Sequence, residues 1–333
     1  MSSGNGAGPS RFTSYHGRPV LKEPTWTWEI PVYFYAGGLA GTSAGLAYLA
    51  ELRGNEVLAR RAWAAAAAGI MVSPGLLISD LGKPLRFLNM LRMFKVTSPM
   101  SVGSWILSGS GATTTLAAAN AWFGIFPRLS RPARAGAALF GLPLSTYTAA
   151  LIANTAVPVW HESRRLLPFV FGSGAALSAG ALAVAVTPSE QAAPARRLAI
   201  ASALLEVAVK EIMHQQLGEH GEPYRHGAAA RFGHVSRACN LAGAAVLAGR
   251  GRRSRPAAVA AGALLCVGAL SARWSTYKAG FASAADPKYV VGPQRTMIER
   301  GERQGASRRL SKVQAVRPDK GSPATAPIQR AAT

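Results

Sequence analysis

Acidic side chains, cysteines and histidines are scarce in this sequence. Its 333 residues carry 15 Asp and Glu against 37 Lys and Arg, a formal net charge of +22, with only 2 cysteines and 6 histidines. Cys239 and Cys266 lie inside apolar stretches and read as small core residues. Two thiols cannot ligate an iron–sulfur cluster, and no disulfide or zinc pattern is present. Also missing are a phosphate-binding loop, a nucleophile elbow and any cluster of metal ligands. No nucleic-acid module accompanies the positive charge, so no nucleic-acid partner is expected. The arginines sit instead in short turns and at the two ends, where anionic lipid headgroups or acidic partners meet them. No apolar stretch precedes Pro31, so the first helix is expected to serve as its own insertion signal.

What the chain has in abundance is apolar length. Hydrophobic residues make up 49% and charged residues 16%. Apolar runs of about 17 to 25 residues recur from Pro31 to Trp274, each long enough for a helix to cross the hydrocarbon layer of a bilayer. The expected fold is an all-α integral membrane protein of eight transmembrane helices, at about 31–52, 57–79, 99–126, 136–159, 165–186, 196–217, 230–248 and 256–274. Two four-helix bundles side by side, about 31–159 and 165–274, would form a domain over 25–281. A flexible N-terminal segment (1–24) and a disordered basic tail (282–333) flank it. Short turns rich in arginine, such as Arg128, Arg131 and Arg134, look cytoplasmic by the positive-inside rule, while the basic tail argues the other way.

The stretch from Asp80 to Trp105 is the most informative. Lys83, Arg86, Arg92 and Lys95 lie among large apolar side chains. At about 100° per residue, Phe87, Leu88, Met90, Leu91 and Phe94 fall on one side and Arg86, Asn89 and Arg92 on the other. This pattern suits an amphipathic helix at the membrane surface, started by Pro84, between helices 2 and 3. An ordinary positively charged loop is the alternative. Gly37, Gly41 and Gly45, spaced by four, offer a small-residue face for close helix packing. Trp26 and Trp28, like Trp160-His161-Glu162, mark membrane interfaces.

Two groups of polar residues are candidates for chemistry. Glu29, Tyr33, Asp80, Lys83, Arg86, Asn89, Tyr147 and Asn154 all fall at the end of the first bundle that bears the termini. They could converge on an apolar pocket with few hydrogen-bonding groups, which suits a quinone headgroup. Tyr, Asp and Lys would supply donors and a proton route. Alternatively, each merely caps or anchors its own helix. In the second bundle, Glu206 lies roughly 15 Å along its helix from Arg196, near mid-membrane, with Lys210 one turn on as a pairing partner. That pair carries the rival reading, a proton-coupled transporter or channel. His214 and His234 flank the polar loop after 217; they read as interfacial residues in preference to haem ligands.

The first group coincides with a family resemblance. Trp26-Thr-Trp-Glu-Ile-Pro-Val-Tyr-Phe-Tyr-Ala-Gly-Gly38, Ser79-Asp-Leu-Gly-Lys-Pro-Leu-Arg-Phe-Leu-Asn-Met-Leu-Arg92, Thr97-Ser-Pro-Met-Ser-Val-Gly-Ser-Trp105 and Tyr147-Thr-Ala-Ala-Leu-Ile-Ala-Asn-Thr-Ala-Val-Pro-Val-Trp160 resemble the NrfD family. That family supplies the membrane subunit of polysulphide reductase-like complexes. The resemblance covers about 24–187; the second half matches mainly in helix number. It implies an eight-helix menaquinone-binding anchor in a bacterial plasma membrane, with no haem or iron–sulfur cluster of its own. It also implies a docked four-cluster ferredoxin-like iron–sulfur subunit and a molybdopterin catalytic subunit. Tyr147 matches the tyrosine expected to bond a quinone oxygen, with Asp80, Glu29, Tyr33 and Asn154 around it. Asp80, Lys83, Arg86 and Asn89 match the connector expected to line the site and face the iron–sulfur partner, with Arg92 beside them for docking, and Glu206 and Lys210 remain candidates for proton transfer.

Overall fold

The computed structural model describes residues 20–81, 83 and 85–292. The expectations for residues 1–19, for Pro84 as a helix start and for 293–333 fall outside the described residues. Among those residues the chain is helical with no strands; it has eight α-helices of twenty residues or more, joined by short α and 3-10 helices. In order the α-helices are α1 (Glu29–Leu52), α2 (Glu56–Asp80), α3 (Arg86–Leu91), α4 (Pro99–Phe123), α5 (Pro127–Ala153), α6 (Pro158–Glu162), α7 (Leu167–Val186), α8 (Ala193–Leu217), α9 (Gly227–Ala248) and α10 (Arg255–Ala285).

Local chemistry sets most of the boundaries. Asn55 caps α2 by accepting the Leu58 amide at 3.1 Å, and Ser98 caps α4 with Pro99 at its first position. Gly124 ends α4 with φ +68, the left-handed conformation that only glycine adopts cheaply. Three expectations need correction. Helix α5 begins at Pro127 rather than near 136, so Arg128, Arg131 and Arg134 belong to its first turns; proline suits that position, and arginine is a good helix former. The same helix stops at Ala153 with Asn154 as its cap, and Pro158, with Val157 extended before it, starts α6. Finally, α10 continues past Trp274 to Ala285 on small, buried residues.

Helices α1 and α7 are the most enclosed. Helix α1 packs against α2, α5, α7 and α10, while α7 packs against α8, α10, α1 and α5. Helix α4 closes against α2 and α5, and α9 against α8 and α10. The closest helix approach pairs Gly41 with Gly141: a Cβ on either would strike the other's carbonyl. Of the three glycines spaced by four, only Gly41 has this role, since nothing lies within 4 Å of a Cβ at Gly45. Gly41→Ala is therefore expected to cost about 1–3 kcal/mol through overpacking, whereas Gly45→Ala is expected to be neutral or slightly stabilising. Thermal unfolding of the two variants in detergent checks this, and equal melting temperatures would refute the contact.

The arginines are not all free for headgroups. Arg134 pairs with Glu51 at 3.2 Å and donates to Asn120 at 2.7 Å, while Trp63 donates to the same carboxylate at 2.8 Å. Arg255 donates to the backbone oxygens of Val184, Ala185 and Thr187, closing the C-terminal end of α7.

Four helices, α2, α5, α7 and α10, are long and apolar enough to cross a membrane. The other four long helices fall short of that measure. Helices α1, α4 and α9 are built largely from Gly, Ala, Ser and Thr. Helix α8 carries Arg196, Arg197, Glu206, Lys210 and Glu211.

Candidate functional site

The segment entering α1 crosses the end of α2. Thr27 donates its amide (3.2 Å) and hydroxyl (3.0 Å) to Asp80, and its hydroxyl also meets the Glu29 carboxylate. Both carboxylates are half-buried and share this one threonine. Trp26 stacks on Trp160 with ring centroids 5.5 Å apart, and its carbonyl accepts the Tyr277 hydroxyl at 2.6 Å. Trp160 is fully buried and donates to the Thr276 carbonyl at 2.8 Å. It is therefore not the interfacial aromatic that its position before His161 and Glu162 suggested.

One turn into α1, the hydroxyls of Tyr33 and Tyr147 are hydrogen-bonded to each other. Tyr33 is buried and Tyr147 half-buried. The Tyr147 ring lies against Gly103 of α4, where any Cβ would collide with it. Helices α1, α4 and α5 thus meet at one tyrosine pair, and the Glu29–Thr27–Asp80 link lies at the same end of the fold. A cavity of about 360 Å³, lined by Leu21–Trp26, Thr155–Val157 and Trp160, opens beside that end. Asn154 caps the end of α5 and is exposed.

The connector is more open than an amphipathic helix requires. Helix α3 has six residues and buries none of them. Lys83, Arg86, Asn89, Arg92 and Lys95 are exposed, and so are Leu85, Leu88, Met93, Phe94 and Val96. Arg86 and Arg92 have Leu85, Leu88 and Phe94 as exposed sequence neighbours, so a face both cationic and apolar is presented outward.

A family model described as polysulfide reductase matches residues 12–280. The chain belongs to the polysulfide reductase family. The match reaches into α10, so the second half carries the family pattern as well as the first. No curated protein matches the chain. With membership in this family and helices able to span a bilayer, the chain is a multi-pass membrane protein, and the family points to a membrane subunit of a redox complex.

In this polysulfide reductase family member the second-half candidates are arranged differently from the expected pair. Glu206 is wholly buried, and Asn240 donates to its Oε2 at 2.9 Å. Lys210 donates to Ser236 at 3.0 Å and forms no ion pair with Glu206 among the described residues. Also facing Glu206 is Arg273 of α10, only 2% exposed. Its guanidinium donates to the Phe171 carbonyl at 2.7 Å and lies 4.1 Å over the Phe171 ring. A Cβ at Gly174 would sit 2.9 Å from Glu206 Oε1 and 3.0 Å from Arg273 Nη2, so both tips use the space that glycine leaves. The His214 and Tyr224 rings meet at a tilt with centroids 4.8 Å apart, and His234 is exposed. Outside the eight long helices, Lys288 bonds Glu222 at 2.7 Å and holds that carboxyl below its usual range.

Proposed function

We propose that this chain is the quinone-reactive membrane anchor of a molybdopterin and iron–sulfur oxidoreductase, with all eight long helices crossing the bilayer as two adjoining four-helix bundles. The observation that carries this reading is the Tyr33–Tyr147 hydroxyl pair beside the Glu29–Thr27–Asp80 link. Two hydroxyls that bond each other spend only one of their two protons. The remaining O–H is free to donate to a carbonyl oxygen, and the carboxylates supply nearby proton acceptors. Those residue types fit a menaquinone headgroup: Tyr147 and Tyr33 would hold an oxygen, while Asp80 and Glu29 would exchange protons through Thr27. Asn154, exposed at the end of α5, would serve the approach. A bound quinone supplies reversible uptake of electrons and protons; the side chains orient it, keep water away from the buried tyrosine and pass protons.

The exposed connector supplies the second part of the proposal, a landing face for a ferredoxin-like iron–sulfur subunit. Exposed cations steer an acidic partner, and the apolar side chains among them provide the area that holds it. Replacing Arg86 and Arg92 together by Glu is expected to weaken capture of that subunit at least about tenfold without lowering the melting temperature, because neither residue is buried. Co-purification from the native membrane at low and high salt measures this. Undiminished, salt-independent capture would place the partner elsewhere.

The reading as a whole is tested by mass spectrometry of the complex extracted in mild detergent, covering proteins and lipid-soluble cofactors. A stoichiometric iron–sulfur protein with menaquinone supports it. A lone chain without quinone would favour the proton-coupled transporter built on Glu206 and Lys210.

A further inference from the structure

We propose that Glu206 is a proton-exchanging carboxyl in the interior of the second helix group, charge-matched by Arg273 and reached by water along a polar stripe of α8. The inference stands apart from the quinone reading, since it uses none of the tyrosine-pair residues.

The cluster contains more hydrogen-bonding capacity than the protein satisfies. Among its buried atoms, Glu206 Oε1, Asn240 Oδ1, Arg273 Nε and Arg273 Nη1 have no protein partner. Each such atom costs roughly 1–3 kcal/mol when left unmade, and more when it is charged. Natural interiors offset that cost with ordered water bound to several polar atoms. Two acceptors and two donors in one cluster suit water better than a metal ion, because the cationic guanidinium would repel one. Space for water-sized groups arises from glycine. Gly174 leaves room for the Glu206 and Arg273 tips, and Gly268 leaves room for Asn240 Oδ1.

A purely structural ion pair would look different. A buried Glu and Arg that served stability alone would be joined directly and bidentately, since anything looser fails to offset desolvation. Here Arg273 spends its contact on the Phe171 carbonyl and ring, and no salt bridge within 4.0 Å joins it to Glu206 among the described residues. The carboxyl keeps one oxygen open.

The stripe gives that oxygen a route. Glu206, Lys210 and His214 recur every fourth residue on one face of α8, spanning about 12 Å of helix. Asn240 and Ser236 of α9 line the same seam by bonding Glu206 and Lys210. The stripe ends where His214 meets Tyr224, beside the loop after 217. The charged groups facing Glu206 are Lys210 from its own helix and Arg273 from α10. Helix α9 contributes only neutral Asn240 there, with Arg237 farther out and paired to Glu211 at 3.2 Å. Helix α7 contributes Gly174 and Phe171, and α1 contributes Tyr35, which lies within electrostatic range of Arg273. In the exchange step a hydronium O–H bond breaks and an O–H bond forms at Glu206, leaving water; release reverses this, and no electrons move.

The test is infrared difference spectroscopy of the full chain in lipid nanodiscs during pH titration, with and without 13C-labelled glutamate. The expected result is a carboxylic C=O band that titrates, shifts in D2O, shifts again with the label and is lost in Glu206→Gln. If that variant does not accumulate, Glu206→Asp must transfer the band's isotope sensitivity to labelled aspartate. A protein with no exchangeable, titrating carboxylic band, or with one that survives Glu206→Gln, overturns the proposal and leaves Glu206 a fixed structural anion.

Discussion

Replacing Tyr147 by phenylalanine is expected to lower quinol-coupled turnover about a hundredfold, the lower range for loss of a positioned proton donor, while the complex still assembles. The phenyl ring keeps the contact with Gly103 of α4, so packing among α1, α4 and α5 survives. What disappears is the partner of the Tyr33 hydroxyl. Tyr33 is only 1% exposed, so its O–H is left unpaired at a cost of about 1–3 kcal/mol. Tyr33→Phe should slow turnover as well, and the double variant should lose less than the sum of the two, because each single change already breaks the pair. Steady-state assays with a soluble menaquinol analogue, alongside quantified subunit stoichiometry, separate the outcomes. Full turnover in Tyr147→Phe would remove this residue from the quinone site, and additive losses would show that the two hydroxyls act separately.

Trp160→Ala is expected to cost the fold about 3–5 kcal/mol, as truncation of a large, fully buried aromatic does. Its ring stacks on Trp26, its indole N–H reaches α10 at Thr276, and it fills the space beside Gly280, where any Cβ would overlap it. These contacts tie the entry to α1, the α5–α6 link and the end of α10. The loss should therefore also loosen Thr27 from Asp80, lowering activity in whatever protein remains folded. Trp160→Phe retains a stacking ring and should cost about 1 kcal/mol beyond the volume change, the usual net value of the lost hydrogen bond. Thermal unfolding in detergent distinguishes these expectations, and a melting temperature unchanged in Trp160→Ala would contradict the packing described.

Residues that act through local chemistry were legible from sequence. Ser98-Pro99 marks a helix start by capping, and the long apolar runs mark where helices lie. The first-half polar residues share one end of the fold because successive helices alternate in direction. Tyr33 and Tyr147 meet there, and Glu29 and Asp80 share Thr27. Less legible were residues whose role depends on a partner far away in the chain. Arg273 sits where apolar character fades, so it reads as a flanking arginine at an interface. Only the small residues that follow, Ser275, Thr276, Ala279, Gly280 and Ser283, show that a packed helix continues past it. Trp160 resembles a headgroup anchor because aromatic residues beside His and Glu usually are. Its burial follows from Pro158, which turns the chain inward after α5. The connector read as a surface-lying amphipathic helix; Phe94 meets Trp105 edge-on, while Leu85, Leu88, Met93 and Val96 remain exposed.

The arginine that closes α7 also bears on how this protein is made. Arg255 binds carbonyls that lie 68 to 71 residues earlier in the chain. A ribosome adding about 5–20 residues per second delivers it roughly 3–14 seconds after α7. During that interval the C-terminal end of α7 has its last carbonyls without their Arg255 partner, while α8 and α9 are still being added. Packing of the second half is thus unfinished until α10 begins. A chain stopped short of Arg255 should be a better substrate for membrane quality-control proteases than one stopped just after the first turn of α10.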